Sequence, residues 1–182
     1  MFRPRRRRSG PDPVISLALA FALAAVAPQQ PADPLGPARE GRLQCHSPDA
    51  ARKTCGAIAT YSFAADGTIS NQAEVMLNPS PLIVMRDQTP VVVRDGAVCG
   101  PLTGLEGAVF TIDRQPADPQ TAEMLRGQLS AAFAQLGTEV CTRYTPQGEG
   151  WLAEAFIDGR PRPDLNQPVI WVSPTDGYSV RP

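Results

Sequence analysis

The chain has 182 residues, with 17 Lys and Arg against 18 Asp and Glu, a net charge of −1. All five arginines of the first eight residues stand ahead of the body of the chain, and the remainder from Pro28 carries 12 basic against 17 acidic residues, a net −5. An acidic body with no basic block excludes a phosphate-backbone partner such as nucleic acid, and a single histidine excludes histidine-rich metal centres.

The first 27 residues read as an export signal. Arg3, Arg5, Arg6, Arg7 and Arg8 lead into Val14–Val26, which holds no charge. The run is too short for a bilayer-spanning helix and has the basic-then-apolar order of a secretory signal. Cleavage is expected after Ala24 or Ala27, by the general secretory route, with no stable membrane anchor afterwards. The expected address is periplasmic or secreted. Residues 28–42, rich in proline and small residues, read as a flexible spacer. One domain is expected over residues 43–182. A body of about 155 residues can bury close to two-thirds of its unfolded surface, enough for one core.

Ser47-Pro48-Asp49 predicts a short helical turn, with serine as cap and proline at the first position. The period then changes to two. Ala57, Ala59, Tyr61 and Phe63 alternate with Ile58, Thr60 and Ser62 up to Asp66-Gly67, and Ile69, Ala73, Val75 and Leu77 continue beyond it. This is a hairpin pattern. Leu82–Met85 predicts a further strand. Val91–Val93 and Ala97–Cys99 predict a second hairpin around Asp95-Gly96, and Val109–Ile112 a shorter strand. Asp118 as N-cap, Pro119 after it and Gly137 at the end frame one long helix. Its apolar residues are Met124, Leu125, Leu129, Phe133 and Leu136. Val140–Tyr144, Trp151–Ile157 and Val169–Val172 are the last strands. Adjacent hairpins mean antiparallel pairing. The expected fold is therefore α+β: a single twisted antiparallel sheet of hairpins with the long helix packed on one face, stapled by disulfides.

Four cysteines, at positions 45, 55, 99 and 141, contain no C-x-x-C motif. Of the three possible pairings we expect Cys45–Cys55, closing a short loop, and Cys99–Cys141, joining the two halves across the helix. In an oxidising compartment each closure is worth about 2–4 kcal/mol.

Catalytic constellations are sparse. His46 sits beside Cys45 and reads as an exposed loop residue rather than a catalytic one. The Asp-Gly pairs at Asp66, Asp95, Asp158 and Asp176 read as turns. Glu154 reads as an outward strand residue. No Gly-x-Ser-x-Gly, P-loop or dinucleotide fingerprint is present. No catalytic residue, metal or cofactor is therefore assigned. Arg143, Tyr144, Trp151, Arg160, Arg162 and Trp171 form a candidate binding surface, since aromatic and arginine side chains anchor interfaces.

Leu43-Gln44-Cys45 with Cys55, then Ala97-Val98-Cys99-Gly100, then the ending from Ile157-Asp158-Gly159 through Val169-Ile170-Trp171-Val172 to Asp176-Gly177-Tyr178, carry a resemblance. The chain resembles a group of uncharacterised exported proteins of alphaproteobacteria of the sphingomonad kind. That resemblance implies a periplasmic address and brings no activity, cofactor or catalytic residue. The expected function is a non-catalytic domain that binds a periplasmic protein, a peptide or an envelope component. The alternative is a small hydrolase or isomerase that uses carboxylates and arginine.

Overall fold

Leu43 and Val172 lie opposite each other in a ladder that ties the first long strand to the last. The computed structural model describes residues 33–102 and 104–182. The expected export signal and the first residues of the expected spacer lie outside the described residues. The strands are β1 (Leu43–Asp49), β2 (Thr54–Phe63), β3 (Ile69–Pro79), β4 (Leu82–Arg94), β5 (Ala97–Pro101), β6 (Val109–Ile112), β7 (Gln115–Pro116), β8 (Glu139–Gln147), β9 (Gly150–Ile157), β10 (Arg160–Pro161), β11 (Gln167–Val172) and β12 (Ser179–Val180). A four-residue helix α1 (Gly36–Arg39) precedes them, and α2 (Pro119–Leu136) lies between β7 and β8.

Eight of these strands close a ring in the order β1, β2, β3, β4, β5, β8, β9, β11 and back to β1, each pair antiparallel. The expected single sheet with a helix on one face is thus corrected to a closed eight-stranded barrel. The β2–β3 and β4–β5 hairpins are those read from the turns, but closure joins the two ends of the domain, and no local periodicity encodes that step. Closure removes the unpaired edges that an open sheet would expose.

Two expected strands, Leu82–Met85 and Val91–Val93, are one long strand, β4. It pairs with β6 at Ile83–Arg86 and with β5 at Val92–Arg94, while β3 runs along its other side. Between those two ladders Pro90 needs no N–H for a partner, so proline is tolerated inside the strand. The helical turn expected at Ser47-Pro48-Asp49 is instead the end of β1, where Pro48 and Asp49 pair with Cys55 and Thr54. Pairing with β2 overrides the local cap signal.

Helix α2 has the expected ends. The Asp118 carboxylate accepts from the Gln120 and Thr121 N–H groups, Pro119 is the first residue, and Gly137 stops the helix. Its packing differs from expectation. Ala122, Leu125, Leu129 and Phe133 meet Met85, Leu105, Ala108 and Phe110 where β4 pairs with β6, so the helix covers one end of the wall. Met124, expected on the apolar face, is 54% exposed.

The spacer reading fails from Asp33 onward. Leu35 is 0% exposed and Ala38 6%. They pack on Tyr61, Phe63, Val91, Val98, Tyr144 and Trp171, so α1 plugs one end of the barrel. Arg39 holds this segment down, stacked 4.0 Å over the Phe63 ring and paired with Asp33 at 2.7 Å.

Both disulfides are those expected, Cys45–Cys55 and Cys99–Cys141. Cys99 and Cys141 face each other across the β5–β8 ladder. Two disulfides suit a chain that folds in an oxidising compartment. Among the described residues no helix is long and apolar enough to cross a membrane.

Candidate functional site: the barrel lumen

Side chains of a strand alternate between the two faces of the wall, so register decides what enters the lumen. Opposed residues share a face. Gln44 pairs with Ala59 and Trp171, His46 with Ala57 and Val169, Ala59 with Ala73, and Tyr61 with Asn71. These residues turn inward. On the far wall Val98 pairs with Thr142, Gly100 with Val140, and Tyr144 with Ala153.

Many of the inward side chains are too short to meet across eight strands. Ala57, Ala59, Ala73 and Gly100 border a cavity of about 520 Å³. That volume falls in the range of small-molecule sites, and an eight-stranded barrel is wide enough to hold one small ligand. Gly100 keeps the wall close-fitting: a Cβ there would lie 3.1 Å from Val91 Cγ1.

A polar cluster sits in this lumen. Gln44 is fully buried. Its Oε1 accepts from the Tyr61 hydroxyl at 2.9 Å and the Tyr144 hydroxyl at 3.3 Å, and lies 3.1 Å from His46 Nε2. A carbonyl oxygen has two lone pairs, so three partners crowd it. Gln44 Nε2 and His46 Nδ1 are buried and have no hydrogen-bond partner among the described residues. Asn71, Thr89, Thr142 and Gln167 add further hydrogen-bonding groups to the cavity wall. Ser47 donates to Gln167 at 3.2 Å, a side-chain bond between the strands that close the ring.

The cavity wall holds no carboxylate, arginine or lysine. Burial pushes the His46 imidazole down to about 4, so it is neutral. Burial raises the Tyr61 hydroxyl well above its usual range, helped by Tyr144, and raises Tyr144 as well. In the eight ring strands the register turns one carboxylate inward, that of Asp87 opposite Ala73, and it accepts from the Thr89 hydroxyl at 2.9 Å.

His46 is therefore not the loop residue expected from sequence. It belongs to β1, and the strand places it on the same face as Gln44. Of the candidate binding surface, Tyr144 alone joins the cluster. Trp171 packs on the plug, and both Trp151 and Trp171 border a shallow hollow beside Pro37 and Arg42. Arg143 is opposed to Glu154 on the outer wall, 5.3 Å from the Phe156 ring centre. Arg160 is exposed in the β9–β10 hairpin, at the other end of β9 from Trp151, and Arg162 is held by Asp164 at 2.6 Å. The six residues do not share one face.

The carboxylates considered for acid–base work are engaged in structure. Thr68 N–H donates to Asp66. Asp95 and Gly96 both have positive φ, at 52° and 74°, as a tight hairpin requires. Asp158 accepts from Thr138 and from the Glu139 N–H, and Asp176 from the Ser173 N–H. Glu154 lies on the outer wall. Cys99, Glu139 and Cys141 bring ligand-type atoms within 4.8 Å of one another, but the two sulfurs are bonded together and Arg94 pairs with Glu139.

The residues that sequence reasoning missed are Gln44, His46, Tyr61 and Asn71. Their signal was period two, which sets Gln44 and His46 on the face opposite Cys45. No family model matches the chain, and neither does any curated protein or solved structure.

Proposed function

We propose that this protein is a small-molecule-binding barrel that works outside the cytosol and takes its guest into the lumen. The observation that carries the reading is a cavity of about 520 Å³ whose wall includes Gln44 and His46, each with a buried polar atom lacking a partner. A buried unpaired polar group costs about 1–3 kcal/mol, and a guest or water that pairs with it offsets that cost. The function remains binding rather than catalysis, as read from the sequence, but of the six candidate surface residues the site keeps only Tyr144 and lies in the interior. The carboxylate–arginine hydrolase gains no support, because no carboxylate and arginine converge on the cavity wall.

The extracytoplasmic address rests on two supports: the basic and apolar residues 3–26 and the two disulfides. A periplasmic or secreted location follows from them as part of the proposal, and an envelope component or a free solute would reach the barrel there.

The test is fluorescence titration of the oxidised protein with N-phenyl-1-naphthylamine, an uncharged probe that brightens in apolar surroundings. Saturable one-to-one binding is expected. Ala73→Leu and Ala59→Phe, which fill the lumen, should abolish it, while Arg160→Ala should not. Absence of saturable binding, or equal binding by the filled variants, would overturn the reading.

A further inference from the structure

We infer that the guest is an uncharged molecule bearing a carbonyl or hydroxyl oxygen, and that this oxygen docks on the Tyr61–Gln44–Tyr144 cluster near the plugged end. The inference rests on the lumen reading above and specifies its ligand.

The wall fixes the charge. Every side chain that borders the cavity is apolar, a hydroxyl, an amide or the His46 ring. With its proton affinity depressed by burial, that ring is neutral at physiological pH. A buried ion without a counter-charge loses its hydration and gains no partner here. An anionic head would meet no arginine or lysine on the wall. A cationic head would meet one nearby carboxylate, Asp87, which does not border the cavity and already accepts from Thr89.

The cluster fixes the polarity of the contact. Gln44 Oε1 has two lone pairs and three close partners. The longest of these contacts, Tyr144 at 3.3 Å, is the weakest held, so its hydroxyl is the donor most readily turned to a guest. The unpartnered Gln44 Nε2 is a second donor of the same amide. Two donors in excess call for an acceptor oxygen.

Geometry fixes the orientation. Leu35 and Ala38 of the plug pack against Tyr61 and Tyr144, so the cluster lies at the closed end. Ser47, Pro101 and Gln167 border the cavity further along the barrel. A guest therefore lies with its oxygen toward the plug and its apolar part among Ala57, Ala59, Ala73 and Val140.

The experiment is an isosteric series on the oxidised protein at pH 7.5: 2-naphthamide, 2-naphthoate, 2-naphthylmethylammonium and 2-methylnaphthalene, each measured by competition with N-phenyl-1-naphthylamine. The amide should bind tightest. Both ions should be weaker by about tenfold or more, the cost of burying an unpaired charge. Tyr144→Phe should cut the amide toward the affinity of 2-methylnaphthalene, by about three- to tenfold for one lost hydrogen bond. Naphthoate or the ammonium ion binding as tightly as the amide would overturn the inference while leaving the lumen reading intact. So would an amide no tighter than the hydrocarbon. Failure of N-phenyl-1-naphthylamine itself to bind would remove the lumen reading and this inference with it.

Discussion

The Tyr144 hydroxyl reaches Gln44 Oε1 at 3.3 Å although β8 and β1 are separated by two strands of the ring, β9 and β11. The bond crosses the lumen, and Tyr61 reaches the same oxygen from β2 at 2.9 Å. Three strands are thus tied through one buried amide. Gln44→Leu removes the shared acceptor and strands two tyrosine hydroxyls, so it should lower stability by about 1–3 kcal/mol. Tyr61→Phe and Tyr144→Phe should each cost about 1 kcal/mol, and the pair should be non-additive, because each relieves the crowding felt by the other. Urea unfolding of the four proteins measures this. Additive losses would mean that the two hydroxyls do not share an acceptor.

Stability should fall on mild acidification, and His46 should be the cause. Its pKa is about 4 in the folded protein against 6.5 for an unperturbed imidazole. The unfolded chain therefore binds a proton below pH 6.5 that the folded chain refuses until about pH 4. Stability is complete above 6.5 and is lost as pH falls through that window, by at most about 1.4 kcal/mol per pH unit. No other histidine exists in the chain. The aspartates with lowered pKa, such as Asp118 and Asp158, act below about pH 4, where the unfolded chain takes up their protons. Unfolding curves at pH 7.5, 6.0 and 5.0 should show the loss, and His46→Gln should flatten it.

The two disulfides should differ in weight. Cys99–Cys141 spans 42 residues and Cys45–Cys55 spans 10. By loop closure, removing the longer link should cost about 1 kcal/mol more than removing the shorter. Paired Cys→Ser variants, unfolded in urea without reductant, test the order. The denatured wild-type protein should show no titratable thiol among the four.

Leu35 should behave as a core residue. It is fully buried beneath Tyr61, Phe63 and Trp171. Leu35→Ala should destabilise by about 2–5 kcal/mol, the range for emptying a well-packed site. A loss under 0.5 kcal/mol would return residues 33–42 to the status of a spacer.

Much of the wall was legible in the sequence because hairpins are local. Asp95-Gly96 and Asp158-Gly159 carry the positive φ their turns require, and Asp118-Pro119 through Gly137 bound α2 as written. The Cys45–Cys55 link was legible because ten residues close a short loop, although that loop is a hairpin and not the helical turn expected. Closure was not, because it depends on Gln44 meeting Trp171 from the far end of the domain. The site went unseen for the same reason. Gln44 and His46 gain meaning only once β8 brings Tyr144 across the lumen. Leu35 was hidden by the prolines around it, which suggest an extended spacer yet here place a one-turn helix over an apolar opening. The candidate surface failed because Arg143 and Tyr144, adjacent in a strand, point to opposite sides of the wall.

The central claim is that the hollow of the barrel is where a guest resides. Its most direct test is a carbon–proton methyl spectrum of the alanine-labelled, oxidised protein during titration with 2-naphthamide. The methyls of Ala57, Ala59 and Ala73 should shift together and saturate at one equivalent, with the outer Ala64 unmoved. Shifts restricted to outer alanines, or no shift at saturating amide, would contradict it.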